Sequence, residues 1–184
     1  ILKKTGKQLS DSIIIIDEAH NAPARIRDAL SISLDTFTLR KAQAEAKFLD
    51  QHNLAKFIRE IEQKVDILGD KMQKEEQPLF YDSVPEMDLQ LSTDLYDFGL
   101  EFLEKSEKHV SFLMKVSKFY TAWNQESQAF LRYIKRWKAG AGYSVIRQCL
   151  DPSIFTTDLF DNVHSAILMS GTLKPQFMYR DLLG

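Results

Sequence analysis

The sequence predicts an α+β, predominantly helical fold: an antiparallel helical body with a small β-hairpin, inserted between two parallel strands of an α/β domain. Three observations carry this. Two short apolar runs stand far apart in the chain, and each ends in a polar cluster: Ile13-Ile14-Ile15-Ile16 runs into Asp17-Glu18-Ala19-His20, and Ala166-Ile167-Leu168-Met169 runs into Ser170-Gly171-Thr172. Between them, apolar residues recur at helical spacing over most of residues 34–124. A shorter stretch, 130–137, alternates with period two, and a glycine-containing turn leads from it to a second strand.

Composition sets the bounds. The 184 residues suffice for one large domain or a domain plus part of another, and 44% hydrophobic with 27% charged residues is ordinary globular composition. No aliphatic run is long enough to cross a bilayer, so no membrane partner is expected. The one cysteine, Cys149, excludes an internal disulfide and an all-cysteine metal site. The chain starts at Ile1 rather than Met and is read as a fragment of a longer protein. Net charge is −2, unevenly spread: residues 34–128 carry 12 basic and 18 acidic side chains, whereas 129–147 carry 5 basic and none acidic. The first of these is an acidic body and the second a basic block.

Taken in order, residues 1–10 read as a loop or a frayed end. Residues 12–17 form a strand whose continuous β-branched run suits burial on both faces in a parallel sheet. Asn21-Ala22-Pro23 breaks regular structure, and a short helix follows from Arg25 to Leu30, before Ser31-Ile32-Ser33-Leu34. Asp35 or Thr36 caps a helix to about Asp50. Leu54, Phe57, Ile58, Ile61, Val65 and Leu68 mark a second, amphipathic one. Two prolines make 77–85 a loop. Leu91, Leu95, Phe98, Phe102, His109, Leu113, Val116, Tyr120 and Trp123 then line one long helix, 88–124, against which the two shorter helices pack. Residues 130–137 and 143–150 are the strands of the hairpin, turned by 138–142. A short helix from 151 to 160, a strand over 164–169 and a helix after Pro175 complete the chain.

Chemistry concentrates at the carboxyl ends of the two apolar strands, where parallel sheets place their active groups. Asp17 and Glu18 there suit a magnesium ion and water activation beside a nucleotide phosphate. In the basic block, Arg132, Lys135, Arg136, Lys138 and Arg147 sit among Tyr133, Trp137 and Tyr143. Cations for phosphates beside aromatic faces for bases is the make-up of a single-strand binder. A two-stranded ribbon with solvated charges has the same pattern. His52, His109 and His164 have no metal-ligand spacing.

Ile-Asp-Glu-Ala-His-Asn at 16–21 resembles helicase motif II of the DEAH form. Met-Ser-Gly-Thr-Leu at 169–173, followed by Pro175 and Tyr179, resembles motif III of the XPD/Rad3 group of superfamily 2 DNA helicases, as does Cys149-Leu150-Asp151-Pro152-Ser153 just before it. In that family the insertion between motifs II and III is the Arch domain. The resemblance implies a RecA-like motor segment over 1–33, an Arch over 34–148, and a return to the motor over 149–184. It implies that Asp17 holds the magnesium of ATP and that Glu18 orients or deprotonates the attacking water. His20 would link the nucleotide site to Ser170, Gly171 and Thr172, passing hydrolysis to DNA movement. It also implies a parent in nucleotide excision repair, with single-stranded DNA gated by the Arch and protein partners docking on it.

Other parts of such an enzyme are not in this sequence. No G-x-x-x-x-G-K-[ST] phosphate loop occurs in the 184 residues, and the four cysteines of the family's [4Fe–4S] cluster are not here. ATP, magnesium and the cluster therefore belong to the parent, and the chain by itself is expected to be inactive. An interaction domain of another DEAH-type, DinG-like helicase is the alternative reading.

Overall fold

The computed structural model describes residues 8–75, 89–125, 127–136 and 142–184, without the side chains of 73–75 and 89–92. The loop expected at 77–85 and the turn at 138–141 lie outside the described residues. The chain divides into two compact units, one built from 1–31 with 148–184, the other from 32–147.

The first unit holds a two-stranded parallel sheet. Strand β1 (Ile13–Ile16) pairs with β5 (Ser165–Leu168), in the register Ile13 opposite Ser165 and Ile16 opposite Leu168. Bonds from His164 N to Ser12 O (3.1 Å) and Met169 N to Ile16 O (2.9 Å) extend the ladder at both ends. Helix α1 (Ala22–Leu30) follows β1, and α6 (Ser153–Asn162) and α7 (Gln176–Leu183) flank β5 in sequence. The break expected at Asn21-Ala22-Pro23 is instead the start of α1. Pro23 occupies its first turn, where a missing N–H costs nothing. Thr156 Oγ1 donates to Leu183 O (2.5 Å) and ties α6 to α7. The expectation that β1 is buried on both faces fails for this chain: Ile13 is 60% and Ile15 61% exposed. A parallel strand acquires two covered faces only from flanking layers, and β5 is its one strand neighbour among the described residues.

The second unit has a proper core. Strand β2 (Ile32–Asp35) leads into α2 (Thr36–Phe48), α3 (His52–Glu75), α4 (Leu89–Ser106) and α5 (Phe112–Trp123), then β3 (Phe130–Arg136) and β4 (Tyr143–Cys149). Asp35 caps α2 by accepting from Thr38 N (2.6 Å). Asp50, in the left-handed region (φ 57°), ends the α2 segment. Gln51 N bonds Ala46 O and Asp50 N bonds Lys47 O, a Schellman closure that turns the chain into α3. Arg40 and Gln43 of α2 both donate to Glu62 of α3. Leu39, Ala42 and Ala46 of α2, Ile58 of α3, Leu95 of α4, and Leu113, Val116 and Phe119 of α5 form the centre of the core.

The single helix expected over 88–124 is two helices. The apolar stripe continues across the break, since 102 and 109 are two turns apart, but His109 is exposed and Glu107 turns the chain (φ 56°). The fold-back is favoured by two features. Gly99 gives α4 room to approach the start of α5, because a Cβ there would fall 2.4 Å from Met114 Cγ. Glu45, buried on α2, caps α5 from another helix. Its carboxylate accepts from Ser111 Oγ (2.9 Å), Phe112 N (2.8 Å) and Leu113 N (2.9 Å). A negative charge on the unpaired N–H groups of a helix start is favourable on both hydrogen-bonding and dipole grounds.

The expected two-stranded hairpin is a three-stranded sheet in the order β2-β4-β3. Strand β2, to which the sequence assigned no element, pairs antiparallel with β4, Ile32 opposite Arg147 and Asp35 opposite Ser144. That makes β4 central, and Tyr143, Ser144, Val145, Ile146 and Arg147 are all buried. Among the described residues no helix is long and apolar enough to cross a membrane.

Candidate functional site: two strand ends joined by a histidine

Where β1 ends, the backbone turns sharply. Glu18 adopts the left-handed conformation (φ 51°, ψ 41°), unusual for a residue with a side chain. Two bonds hold it there: Glu18 N donates to Asp17 Oδ1 (2.8 Å), and Asn21 N donates to Glu18 O (3.0 Å), closing the turn Ala19–Asn21. Ala19, fully buried, donates its N–H to Met169 O (2.9 Å), which pins the turn to the exit of β5. Strained conformations fixed by surrounding bonds cluster at functional sites.

The result brings four candidate side chains, Glu18, His20, Ser170 and Thr172, together across about 150 residues of sequence. His20 Nδ1 lies 2.8 Å from Ser170 Oγ and 3.2 Å from Glu18 Oε2. Ser170 Oγ also donates towards Glu18 Oε2 (3.4 Å) and accepts from Thr172 N (3.3 Å). Thr172 Oγ1 is 3.4 Å from Ser170 Oγ. An ionised carboxylate only accepts, so the chain of donors runs towards Glu18, with Nδ1 carrying the proton in this arrangement. Asp17 stands beside the group, exposed, and accepts from its neighbour's N–H. Gly171 meets nothing within 4 Å of a notional Cβ, so no close approach explains a glycine there.

A magnesium ion with phosphate ligands needs only one or two protein carboxylates. Asp17, an exposed hard-oxygen donor at a parallel strand's carboxyl end, fits that requirement. Among the described residues no group of three or more His, Cys, Asp or Glu side chains could form an all-protein cage. An apolar cavity of about 350 Å³ in the same unit, lined by Phe160, Leu168, Leu173 and Leu183, includes none of these site residues.

The basic block is placed differently from what a bare charge count suggests. Arg147 is 3% exposed; its guanidinium stacks 3.3 Å over the Phe130 ring and donates to Gln125 O (3.2 Å). Arg132 donates to Trp123 O (2.8 Å) and Gln125 O (3.1 Å), and lies over the Trp123 ring. Both cations therefore sit at the carboxyl end of α5, where they complement its carbonyls. Tyr143 is buried and donates to Asp70 Oδ1 (2.9 Å); this bond, with burial, raises its pKa. Gly69 leaves room for that ring, since a Cβ there would lie 2.1 Å from it. Tyr133 is half-buried, and Lys135 and Arg136 are exposed. Trp137 and Lys138 lie outside the described residues.

Sequence reasoning missed Glu45, whose three-donor role depends on a residue 66 positions away. A carboxylate at a mostly apolar helix position was the available signal. It also missed the Ser31 hydroxyl that accepts from Cys149 N (3.0 Å).

Comparison with known proteins bears on the same region. A family model described as DEAD_2 matches residues 1–39, which carry β1, Asp17, Glu18 and His20. No curated protein matches the chain. Among solved structures, an XPD helicase superposes with a TM-score of 0.66 at 20% identity, covering 92% of this chain and 29% of that one. The structure of Xpd4 from S. tokodaii gives 0.58 at 21% identity, with 90% and 34% covered. The chain thus spans about a third or less of the length of the helicases it resembles. Its fold is that of the matching stretch of those proteins.

Proposed function

We propose that the chain is the part of an ATP-dependent DNA helicase that supplies half of its nucleotide site and the Arch inserted after it. The observation that carries this is the bond between His20 Nδ1 and Ser170 Oγ, with Glu18 Oε2 beside both. It links the acidic end of β1 to the Ser-Gly-Thr end of β5, the two places where motif II and motif III fall.

In this reading Asp17 would hold magnesium, whose role is to neutralise charge on the phosphates of bound ATP. Glu18 orients or deprotonates water, its carboxylate positioned by His20 and Ser170. His20 and Ser170 register the state of that carboxylate: a hydrogen-bonded trio whose acceptor changes charge or position must rearrange its donors. The rearrangement is delivered to β5 and to Thr172. The phosphate loop is supplied from elsewhere in the parent. Single-stranded DNA is the proposed track, residues 32–147 the gating insertion, and DNA repair by excision the proposed setting. Lys135 and Arg136, exposed on β3, are the cations of the basic block suited to phosphate contact.

The full-length parent tests the reading. Glu18→Gln should abolish ATP turnover while leaving nucleotide binding within a few-fold. Ser170→Ala should leave turnover measurable but cut unwinding per ATP by about tenfold or more. Equal loss of both activities in Ser170→Ala would assign Ser170 to folding or chemistry and refute the relay.

A further inference from the structure

The nucleotide junction leaves part of its own unit without a role. Ser31 lies outside it, and so does the segment Cys149-Leu150-Asp151-Pro152-Ser153. The chain leaves this unit after Ser31 and re-enters it at Gln148, so both crossings to residues 32–147 run past these residues. Ser31 ties the two together. Its Oγ donates to Arg27 O (2.6 Å) and accepts from Cys149 N (3.0 Å). A hydroxyl offers a proton and lone pairs at once, so the two bonds do not compete. The Ser31 N–H also closes α1, on Arg27 O (2.9 Å).

Helix α1 connects this clamp to the junction. The turn Ala19–Asn21 passes into it without an intervening loop. Asn21 and Ala22 already have helical backbone angles, and Ala22 N donates to Ala19 O. The nine residues of α1 span about 13 Å. A hydrogen-bonded helix is a rigid element, and such elements carry coupling between sites. The near end is fixed by Ala19 N on Met169 O (2.9 Å), the far end by Ser31 on Cys149.

A second path leads back to the junction. Asp151 Oδ1 accepts from Ser153 N (3.0 Å) at the start of α6. Thr156 of α6, 4% exposed, donates to Leu183 O at the end of α7. Tyr179 of α7 donates to Thr172 O (3.4 Å), beside Ser170. Junction, α1, Ser31, Cys149, α6 and α7 thus make a closed ring, all of it within one compact unit. The Ser31–Cys149 bond closes it on the side where the chain crosses to 32–147.

We propose that Ser31 is a positioning residue whose hydroxyl closes this ring, so that the state of the Glu18–His20–Ser170 group is felt at both crossings into the inserted unit. The proposal rests on the relay reading and extends it beyond β5 and Thr172. A bond with a purely local role steadies Cys149 alone. A closed ring also steadies Ala19, at the opposite end of α1.

The first test is amide hydrogen exchange in this 184-residue chain, without nucleotide or DNA. Ser31→Ala should speed exchange at Cys149 by about tenfold and at Ala19 by about threefold. Val116, in the core of the other unit, should be unchanged. Ser31→Thr keeps the hydroxyl on extended backbone that a β-branched residue accepts, and should exchange like the unaltered chain. No change at Ala19, an equal change at Val116, or failure of Ser31→Thr to preserve protection would each overturn the proposal. The second test uses the full-length parent. There Ser31→Ala should lower DNA unwound per ATP by about threefold with the KM for ATP unchanged. If Ser170→Ala lowers that ratio and Ser31→Ala does not, the clamp is wrong and the relay stands. If neither lowers it, the relay is wrong and the role of Ser31 falls with it.

Discussion

Strands β1 and β4 both carry adjacent β-branched residues, and these end up in opposite environments. In β4, Val145 and Ile146 are 8% and 7% exposed on a strand with a neighbour on each side, and Val145 joins the helical core. In β1, Ile13 and Ile15 are 60% and 61% exposed, with β5 as the one paired strand among the described residues. The difference separates two jobs. The 32–147 unit has a buried core of its own, with Leu39, Ile58 and Phe119 among it. The strand pair of the other unit contributes a hydrogen-bonded polar junction at its carboxyl end and leaves Ile13, Ile15 and Ile167 exposed. Local sequence specifies a strand; the number of layers around it decides what the strand is worth.

Mutations can break this contrast. The largest effect is expected at Phe119, 2% exposed in the bundle core: Phe119→Ala should cost about 4 kcal/mol in urea unfolding of this chain, followed by the fluorescence of buried Trp123. Next comes Glu45→Gln, which keeps an acceptor but removes the charge that caps α5. It should cost about 2 kcal/mol by the same measurement. Then the strands are compared directly. Ile146→Thr should cost about 2 kcal/mol, and Ile15→Thr, at an exposed position, less than about 0.5 kcal/mol. In the full-length parent, where further layers are proposed to cover β1, the Ile15→Thr penalty should grow by about 1–2 kcal/mol. An unchanged small penalty there would show that β1 stays open.

Much of this was legible in the chain. The β-branched run before Asp17 and the matching run before Ser170 marked two strands, and they do pair in parallel. Asp35 was legible as a cap because its acceptor oxygen serves an N–H only three residues ahead. The break between α4 and α5 was not, since the apolar period runs straight through it and the deciding groups, Gly99 and Glu45, act across space. The period-two pattern of β3 and the basic charge of the 129–147 block were legible, but not which cations are consumed by the fold. Arg132 and Arg147 turn to carbonyls at the end of α5, a destination fixed by tertiary packing. β2 escaped notice because four residues ending in Asp35 carry too little pattern to outweigh the helices on either side. The meeting of His20 with Ser170 had no local signal. The expectation came from the motif resemblance, and the geometry comes from the Glu18 turn pinned to Met169.

The most direct measurement of the central claim is a double-mutant cycle on His20 and Ser170 in the full-length parent, read as DNA unwound per ATP hydrolysed. If the two residues pass one signal between the strand ends, His20→Ala and Ser170→Ala should each lower that ratio by about tenfold, and the double variant should be no worse than either single one. Losses that multiply in the double variant would mean the residues act independently, and the relay between the two strand ends would be wrong.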